Sequence, residues 1–571
     1  MNSGTFPRHL SASSPIQGPI IAGAPEEPIL EVTEIQGSVL VGFNKDYQHF
    51  VFLEISKPAV AKRWLRLLIP HIATVDESLV FRRLFRALRV RRGEEPTGMI
   101  ATWVNIAFTY EGIRKLTSDD EAKKFASEAF KAGLAERSSA LGDPTDSTAE
   151  GHPNNWVIGN AKNRPDILLL IASDSPIALK NEIQRIKAEI RSVQAATPTR
   201  RTKAGLRILY EQSGATLPDE LKGHEHFGFK DGVSQPGIRG RVPGGDQNFL
   251  TPRLVDPDDP HALKFAKPGQ PLIWPGQFVL GYPLQADNDD INAAPPDFNS
   301  SPWPVWARNG SFLVFRRLRQ DVAGFWAFAR AQTDLLRHKP GFEGLTPERL
   351  ASLLIGRWPS GAPIMRTPGA DNVDLGSNDL ANNSFNFSQE TETIPLRHGI
   401  PPEPAEFPQA PADVDGLRCP FAAHIRKVNP RDDTTDLGGG RRTLPRRILR
   451  RGITYGPPLE NARTAADDKV DRGLLFLSYQ ASIEDQFEFL TQHWLNSPKL
   501  PKDYSQDANP AGNDPVIGQS QGASNRTRVF TLRGSDGSFE TIEVPNDFVI
   551  PTGGDYLFAP SITALKDILA R

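Results

Sequence analysis

The chain has 571 residues, and its 66 basic and 68 acidic side chains give a net charge of −2. No basic footprint predicts a nucleic-acid partner, no basic amphipathic helix predicts a membrane surface, and no apolar run is long enough to span a bilayer. With 38% hydrophobic and 23% charged residues, the composition is that of a globular protein large enough for two or more domains. Cys419 is the only cysteine, so no disulfide can form within the chain.

The first 24 residues contain three prolines and no uninterrupted apolar stretch of the kind found in secretory signals. On this ground the sequence predicts a cytoplasmic location.

The periodicity of apolar residues predicts an α+β fold in which one unit occurs twice. Strands and helices alternate in both halves of the chain. The first half has predicted strands at residues 49–55, 102–108, 167–171 and 206–210, with helices at 58–68 and about 179–190. The second has predicted strands at residues 312–315, 474–479 and 529–532, with helices at about 322–329 and 487–494. Two βαββαβ units packed sheet to sheet would give a duplicated ferredoxin-like fold.

The sequence divides into three predicted regions. Residues 1–35 form an N-terminal tail, residues 36–270 the first ferredoxin-like domain and residues 271–571 the second. Within the second, residues 360–417 are rich in Pro, Asn, Asp and Gly and show no periodicity. A connection of this length is either functional or mobile, and we expect it to lie near the candidate site that follows it.

The sequence GFKDGVSQPG, at residues 228–237, presents the carboxylate of Asp231 between two glycines. Glycine permits positive φ and close approach of another group, and proline stops a helix, so the segment is a shaped turn. Phe227 and Phe229 would form its apolar walls. Turns of this composition are common in proteins without catalysis. A catalytic role for Asp231 is therefore supported only by a second site further along the chain.

That second site is the sequence CPFAAHIRKVNPR at residues 419–431, which places His424 among small and apolar residues. The two preceding alanines would let a flat, bulky group approach the backbone. A neutral imidazole offered from such a surface is what a haem iron needs on its proximal side. A histidine that simply packs or faces solvent is the more common explanation when the motif is taken alone.

Two further segments carry candidate residues. In RRILRRGITYG, at residues 446–456, Arg450 could be directed at a site beside an apolar wall, although a solvated basic strand end explains the pattern equally well. In RGLLFLSYQ, at residues 472–480, the strand period of two places Leu474 and Phe476 on one face.

In this order, the four segments resemble the dye-decolorizing peroxidases, and most closely the large fungal members. The resemblance runs from about Gln36 to the C-terminus. It implies a dimeric α+β barrel with one haem b per chain, held mainly by the second half. It also implies hydrogen peroxide as oxidant and dyes, phenols or other aromatic compounds as reducing substrates. Because large fungal members are often secreted, an extracellular location is the alternative to the cytoplasm.

The resemblance implies that Asp231 and Arg450 form the distal pair that splits peroxide, beneath an apolar cover of Leu474 and Phe476. A positioned carboxylate can take a proton from one peroxide oxygen and return it to the other, and the guanidinium stabilises the charge that develops. An ionised Asp231 predicts an acidic optimum for dye oxidation. Gly452 stands where some relatives carry a further polar side chain, so a third polar group over the haem is in doubt.

On the opposite side of the haem, the resemblance implies that His424 is the proximal ligand. Asp514 would accept a hydrogen bond from its second ring nitrogen, an interaction that fixes the tautomer and raises ligand basicity. An aspartate before a proline is also an ordinary turn residue.

Three rival hypotheses remain open from the sequence. His224 and His226, spaced to lie on one face of a strand, could hold a metal in a non-haem oxygenase. Cys419 could instead supply a thiolate to haem. The chain could also be a haem-binding or deferrochelating protein, which would not need the pair Asp231 and Arg450.

Dyes are too large to reach an iron covered by Leu474 and Phe476, so their oxidation would need an electron path to the surface. Tyr455, Trp358 and Tyr479 are candidates because they lie near the matched motifs. Buried aromatic residues are usually part of the core, and the sequence does not choose among the three.

Overall fold

The computed structural model describes residues 25–94, 96, 98–195, 205–245, 248–288, 302–502, 511–520 and 526–571. In this part of the chain the α-helices are α1 Gly37–Leu40, α2 Pro58–Leu68, α3 Val75–Arg92, α4 Tyr110–Leu116, α5 Asp119–Lys123, α6 Glu128–Ala132, α7 Leu134–Arg137, α8 Pro176–Ala195, α9 Val322–Leu336, α10 Pro347–Ile355, α11 Val373–Ser377, α12 His424–Val428 and α13 Ile562–Ala564. Among the described residues, no helix is long and apolar enough to cross a membrane.

The strands include those predicted and several more. They are β1 Tyr47–Ile55, β2 Thr102–Phe108, β3 Ile167–Ser173, β4 Leu206–Ala215, β5 Gly237–Ile238, β6 Phe265–Lys267, β7 Gln270–Ile273, β8 Ser311–Gln320, β9 Leu449–Arg450, β10 Ile453–Tyr455, β11 Gly473–Gln480, β12 Arg528–Arg533, β13 Phe539–Val544 and β14 Val549–Ala559. One nine-stranded sheet has the order β10-β11-β8-β14-β2-β3-β1-β4, with β9 also paired to β11.

This sheet contains the strand order of a ferredoxin-like unit twice. Strands β4-β1-β3-β2 follow the order fourth, first, third, second, and β14-β8-β11-β10 repeat it with all neighbours antiparallel. The units join where Phe108 of β2 pairs with Phe558 of β14. At the other end, the Thr454 hydroxyl of β10 donates to the carbonyl of Ala215 in β4, at 2.5 Å. The duplicated α+β barrel fold is therefore confirmed.

Alternation along the strands divides the core between the two faces of this sheet. In β1, Phe50 and Phe52 pack inside the barrel, whereas Val51 and Leu53 face outwards. Helices α2 and α8 cover the outward face of the first unit with residues such as Trp64, which is fully buried. Burial of these side chains is the main force that holds the layers together.

The outer face of the second unit is built differently. Two π-helical segments, Ile483–Glu488 and Leu490–Leu495, stand where a single helix was predicted at residues 487–494. They leave an open space against β8 and β11, and this space is the candidate site.

The predicted strand at residues 529–532 is present as part of β12, but it lies outside the nine-stranded sheet, and the last strand of the second unit is β14. Strand β12 pairs with β13 in a separate hairpin. The sequence concealed β14 because Pro551 and Gly553 interrupt its apolar pattern, and the strand absorbs them at a register shift.

Residues 27–35, which the prediction placed in the tail, pack against the body of the protein. Leu30, Val32 and Ile35 are buried inside the barrel cluster, and Glu27 pairs with Arg239 and Arg253. The boundary predicted between residues 270 and 271 lies within β7, and the division into domains stays a prediction. The prediction of location depends on residues 1–24, which lie outside the described residues.

Candidate active site

A cavity of about 280 Å³ lies on the outer face of the second unit's sheet. Because Leu474 pairs with Leu318 across β11 and β8, both side chains face the cavity from neighbouring strands. The other sides of the cavity are closed by the turn at residues 223–236, by helix α12 and by the π-helical segments. Of the predicted site residues, the cavity brings together Asp231, His424, Arg450, Leu474 and Phe476.

His424 is the first residue of α12, and its side chain is 24% exposed because it faces the cavity. Its Nδ1 lies 2.8 Å from Oδ2 of Asp514, whose side chain is fully buried. The other oxygen of Asp514 accepts from the amides of Val516 and Ile517, each at 2.9 Å. An ionised acid cannot donate, so the Nδ1–H of His424 donates, and in the neutral imidazole the lone pair is then on Nε2.

The pKa of Asp514 lies below its usual value of 3.8. Burial acts to raise this pKa, but the charge of His424, its hydrogen bond and the two amide bonds together outweigh it. The structure thus holds Asp514 as a carboxylate without solvent contact.

Asp231 and Arg450 meet in the same cavity as His424. The Nη1 of Arg450 donates to Oδ1 of Asp231 at 2.8 Å, and the same oxygen accepts from the Gly232 amide at 2.6 Å. Burial acts to raise the pKa of Asp231, yet the charge of Arg450 and the amide bond hold it below 3.8, with a smaller effect from His424. The two side chains keep 37% and 31% exposure because they face the open cavity.

The backbone around Arg450 fixes the direction of its side chain. Strand β9 pairs Arg450 with Ser478 of β11, and the side-chain amide of Gln235 exchanges hydrogen bonds of 3.2 and 3.3 Å with the Arg450 backbone. The Nη2 of Arg450 also donates to the carbonyl of Ser234 at 3.2 Å. The arginine is therefore tied to the same turn that carries Asp231.

Strand β11 confirms the predicted period of two. Leu475 and Leu477 are fully buried inside the barrel, whereas Leu474 and Phe476 alternate with them and line the cavity. Phe476 also packs against Phe487 of the first π-helical segment, with ring centroids 6.0 Å apart. These apolar side chains face the same space as Asp231 and restrict water there.

Three buried guanidinium groups, which the sequence analysis did not select, also line the cavity: Arg357, Arg431 and Arg447. They donate to backbone carbonyls and asparagine side chains, and within the described part of the chain none has a carboxylate partner. Burial lowers the pKa of Arg357 and Arg431 to about 9 and that of Arg447 to about 10. The motifs at residues 419–431 and 446–456 contain Arg431 and Arg447, but nothing in their spacing showed that these side chains converge with Arg357.

Glu225 is a second acid in the cavity that the sequence analysis missed. Its carboxylate accepts from the amides of Phe227 and Phe229, both at 2.9 Å, and from Nε2 of Gln320 at 2.5 Å. Burial raises the pKa of Glu225 to about 7, against the effect of these bonds, and the charge of Asp231 adds to the rise. The acid closes the turn just before Asp231.

The sequence matches known proteins over nearly its full length. Residues 34–205 match the DyP dimeric alpha+beta barrel domain. The chain is 30% identical to peroxidase 2 of Mycetinis scorodonius, over 95% of this chain and 88% of that protein. It is 31% identical to the dye-decolorizing peroxidase of Exidia glandulosa, over 96% and 91%. The solved structure of an ancestral D-type dye-decolorizing peroxidase matches with a TM-score of 0.71 at 31% identity, over 95% of this chain and 100% of that chain.

The chain belongs to the dye-decolorizing peroxidase family. The resemblance drawn from its four motifs is thus confirmed.

The rival metal site at His224 and His226 does not suit this member of the family. The pair lies in a turn rather than on a strand, and neither histidine lines the cavity. Nδ1 of His224 lies 3.2 Å from the Lys222 carbonyl, and Nε2 of buried His226 lies 2.9 Å from that of Tyr455. No group of three metal-binding side chains occurs among the described residues.

Cys419 is equally unsuited to bind haem in a dye-decolorizing peroxidase. It is fully buried away from the cavity, and burial raises the pKa of its thiol to about 12. The alanines before His424 also differ from expectation. Ala422 and Ala423 are fully buried in the core and do not line the cavity, so they serve packing rather than close approach.

The predicted connection at residues 360–417 lies beside the cavity, as expected for its position in the chain. Asn383 accepts hydrogen bonds from both Arg357 and Arg431, and Phe385 lies 3.7 Å from the guanidinium of Arg431. The segment also contributes Phe387 to a buried cluster.

The three aromatic candidates for electron transfer in this dye-decolorizing peroxidase are all buried. Tyr455 donates to Asp471 at 3.2 Å and stacks with Arg317, Tyr479 bonds the hydroxyl of Ser38 and Trp358 donates to a carbonyl. The role of any of the three in electron transfer stays a prediction.

Proposed function

We infer that this protein is a haem peroxidase that uses hydrogen peroxide to oxidise bulky dyes and phenolic or other aromatic compounds. Membership of the dye-decolorizing peroxidase family supports the reaction. The observation that carries the residue roles is that His424, with its carboxylate partner, and the pair Asp231 and Arg450 line one cavity.

The polarity and charge of the cavity lining suit one haem b. Its walls are largely apolar, and Asp514 engages Nδ1 of His424, which leaves Nε2, the donor that haem iron takes from a neutral proximal histidine. Arg357, Arg431 and Arg447 give the cavity an excess of buried positive charge, whereas the propionate groups of haem bring negative charge. Carboxylate–guanidinium pairing would compensate both. When bound, haem would supply the redox chemistry of peroxide reduction.

Asp231 is suited to move the proton of peroxide. Its lowered pKa keeps it ionised in weakly acidic solution, so it can accept a proton from one oxygen and return it to the departing one. Arg450 lies 2.8 Å from this carboxylate and would stabilise the charge on the departing oxygen. Leu474 and Phe476 limit the access of water and bulky molecules, so larger substrates would react at the surface through an aromatic relay.

His424 and Asp514 act on the opposite side. The buried carboxylate orients the imidazole ring, and a carboxylate in this position would strengthen the bond of the histidine to the haem iron. Asp514 is itself held by hydrogen bonds from the amides of Val516 and Ile517. The ring of His424 therefore cannot turn without breaking its own hydrogen bond to Asp514.

The test is an absorption spectrum of haem-reconstituted protein with peroxide then added, comparing wild type with His424→Ala and with the control His224→Ala. We expect a ferric Soret band that changes on peroxide addition in the wild type and the control, and a weakened or shifted band in His424→Ala. Failure of the wild type to bind haem, or identical spectra for His424→Ala, would refute the proposal.

A further inference from the structure

Helix α3, Val75–Arg92, is attached to the body of the protein through its first two turns and projects beyond them. Thr74 and Glu77 form a capping box at its start, but only Val75 and Ser78 of its 18 residues are buried. Phe81 is packed edge-on against Trp103, with ring centroids 5.3 Å apart. The base of the helix is thus fixed, and the remainder projects.

The projecting part turns apolar side chains towards solvent. Val80 is 56% exposed and Leu84 is 52% exposed, and Leu88 follows at the same spacing of four residues, so the three share one face. Val90, nearer the end, is 64% exposed. Adjacent exposed apolar residues on one helix face usually mark an interaction site, whereas single ones do not.

The same segment concentrates positive charge. Residues 78–93 contain six arginines and no acidic residue, although the whole chain has a net charge of −2. Arg82 is fastened to the carbonyls of Val41 and Gly42. Arg86 and Arg89 are exposed and have no carboxylate partner within the described ranges. The sequence analysis predicted no membrane partner because it found no basic amphipathic helix, and it overlooked this local basic surface.

We propose that α3 docks this protein onto an anionic lipid surface. The apolar stripe Val80, Leu84 and Leu88 would enter the boundary between headgroups and acyl chains, while the arginines would meet the phosphates. Long arginine side chains can extend along the helix and keep their charge at the headgroup level.

Other occupants match these features less well. A nucleic acid would pair with the arginines but leave the apolar stripe in water. A second copy of α3 would bring like charges together. Residues 1–24 of the same chain contain no acidic side chain, so they offer the arginines no complementary charge.

The test is co-sedimentation of full-length, haem-loaded protein with vesicles of phosphatidylcholine alone or mixed with phosphatidylserine. We expect binding only to the mixed vesicles, and weaker binding at higher salt. Removing two charges with Arg86→Gln and Arg89→Gln should lower partitioning about 30-fold, since each basic residue near such a surface contributes about 1 kcal/mol. Leu84→Asn should also weaken binding, and dye oxidation in solution should be unchanged in all variants.

Matched controls lie on other exposed helices. Lys180→Gln with Arg191→Gln on α8 removes the same charge, and Leu335→Asn on α9 removes an apolar side chain that is 65% exposed. These should bind as the wild type does. Equal binding to both kinds of vesicle, no binding, or unchanged binding by the α3 variants would overturn the proposal. Binding to a DNA duplex without binding to vesicles would overturn it as well.

Discussion

The two aspartates that serve the cavity are held in opposite ways. Asp514 is fully buried, and its oxygens bond to His424 and two amides. Asp231 is 37% exposed, and its described bonds go from one oxygen to Arg450 and Gly232. Both have a lowered pKa, but one is locked and the other has a free oxygen towards the cavity. The locked acid suits orientation of a ligand, and the open one suits proton transfer.

Removing the open carboxylate should have the largest effect. Asp231→Asn keeps the shape of the side chain but cannot accept the peroxide proton. We expect kcat/KM for hydrogen peroxide to fall by about 10²–10⁴-fold, the usual contribution of a positioned base. Steady-state kinetics with haem-loaded protein measure this, and Asp334→Asn on α9 is an exposed control. A loss below tenfold would show that another group moves the proton.

Replacing the partner of Asp231 should have the next largest effect. Arg450→Met removes a donor to the departing oxygen, and we expect a loss of about 10²–10³-fold in kcat. Because the charge of Arg450 lowers the pKa of Asp231, the acidic limb of the pH–rate profile should also move to higher pH. An unshifted limb would mean that Asp231 does not set it.

Replacing the buried carboxylate of Asp514 should reduce activity less than replacing Asp231 or Arg450. Asp514→Asn would leave His424 in place but remove the charge that orients it, and we expect activity or haem affinity to fall about 10–100-fold. Haem titration and peroxide kinetics measure the two quantities. Asp432→Asn is a matched control, since Asp432 also accepts from two backbone amides, those of Phe387 and Gln389, but has no histidine partner. Equal losses in both variants would indicate a general loss of stability.

The third acid should affect stability more than rate. Because the pKa of Glu225 rises from 4.5 to about 7 on folding, the folded state binds its proton more tightly. The free energy of unfolding should therefore decrease by about 3 kcal/mol as pH rises from about 4.5 to 7. Urea unfolding of Glu225→Gln should lack this pH-dependent part. The same slope in both proteins would refute the assignment.

The sequence predicted the elements with strong periodicity and the residues inside recognisable motifs. Strand β11 could be predicted because Leu474 and Phe476 alternate with buried leucines over an uninterrupted apolar run. Residues that come together only in the folded chain could not be predicted. Arg357 and Arg447, for example, lie 90 positions apart in the sequence but line the same cavity. Glu225 was missed because its role depends on burial, which a single acid beside a turn does not reveal.

The barrel is built from two similar units within one polypeptide, much as a dimer is built from two chains. Among the described residues, the sheet joins its two units through one residue pair between β2 and β14 and through a side-chain bond from Thr454 at the opposite seam. Hydrogen-bond ladders are long within each unit and short between them. The two units also differ in their covers: helices α2 and α8 cover the first unit, whereas the cover of the second leaves a cavity of about 280 Å³.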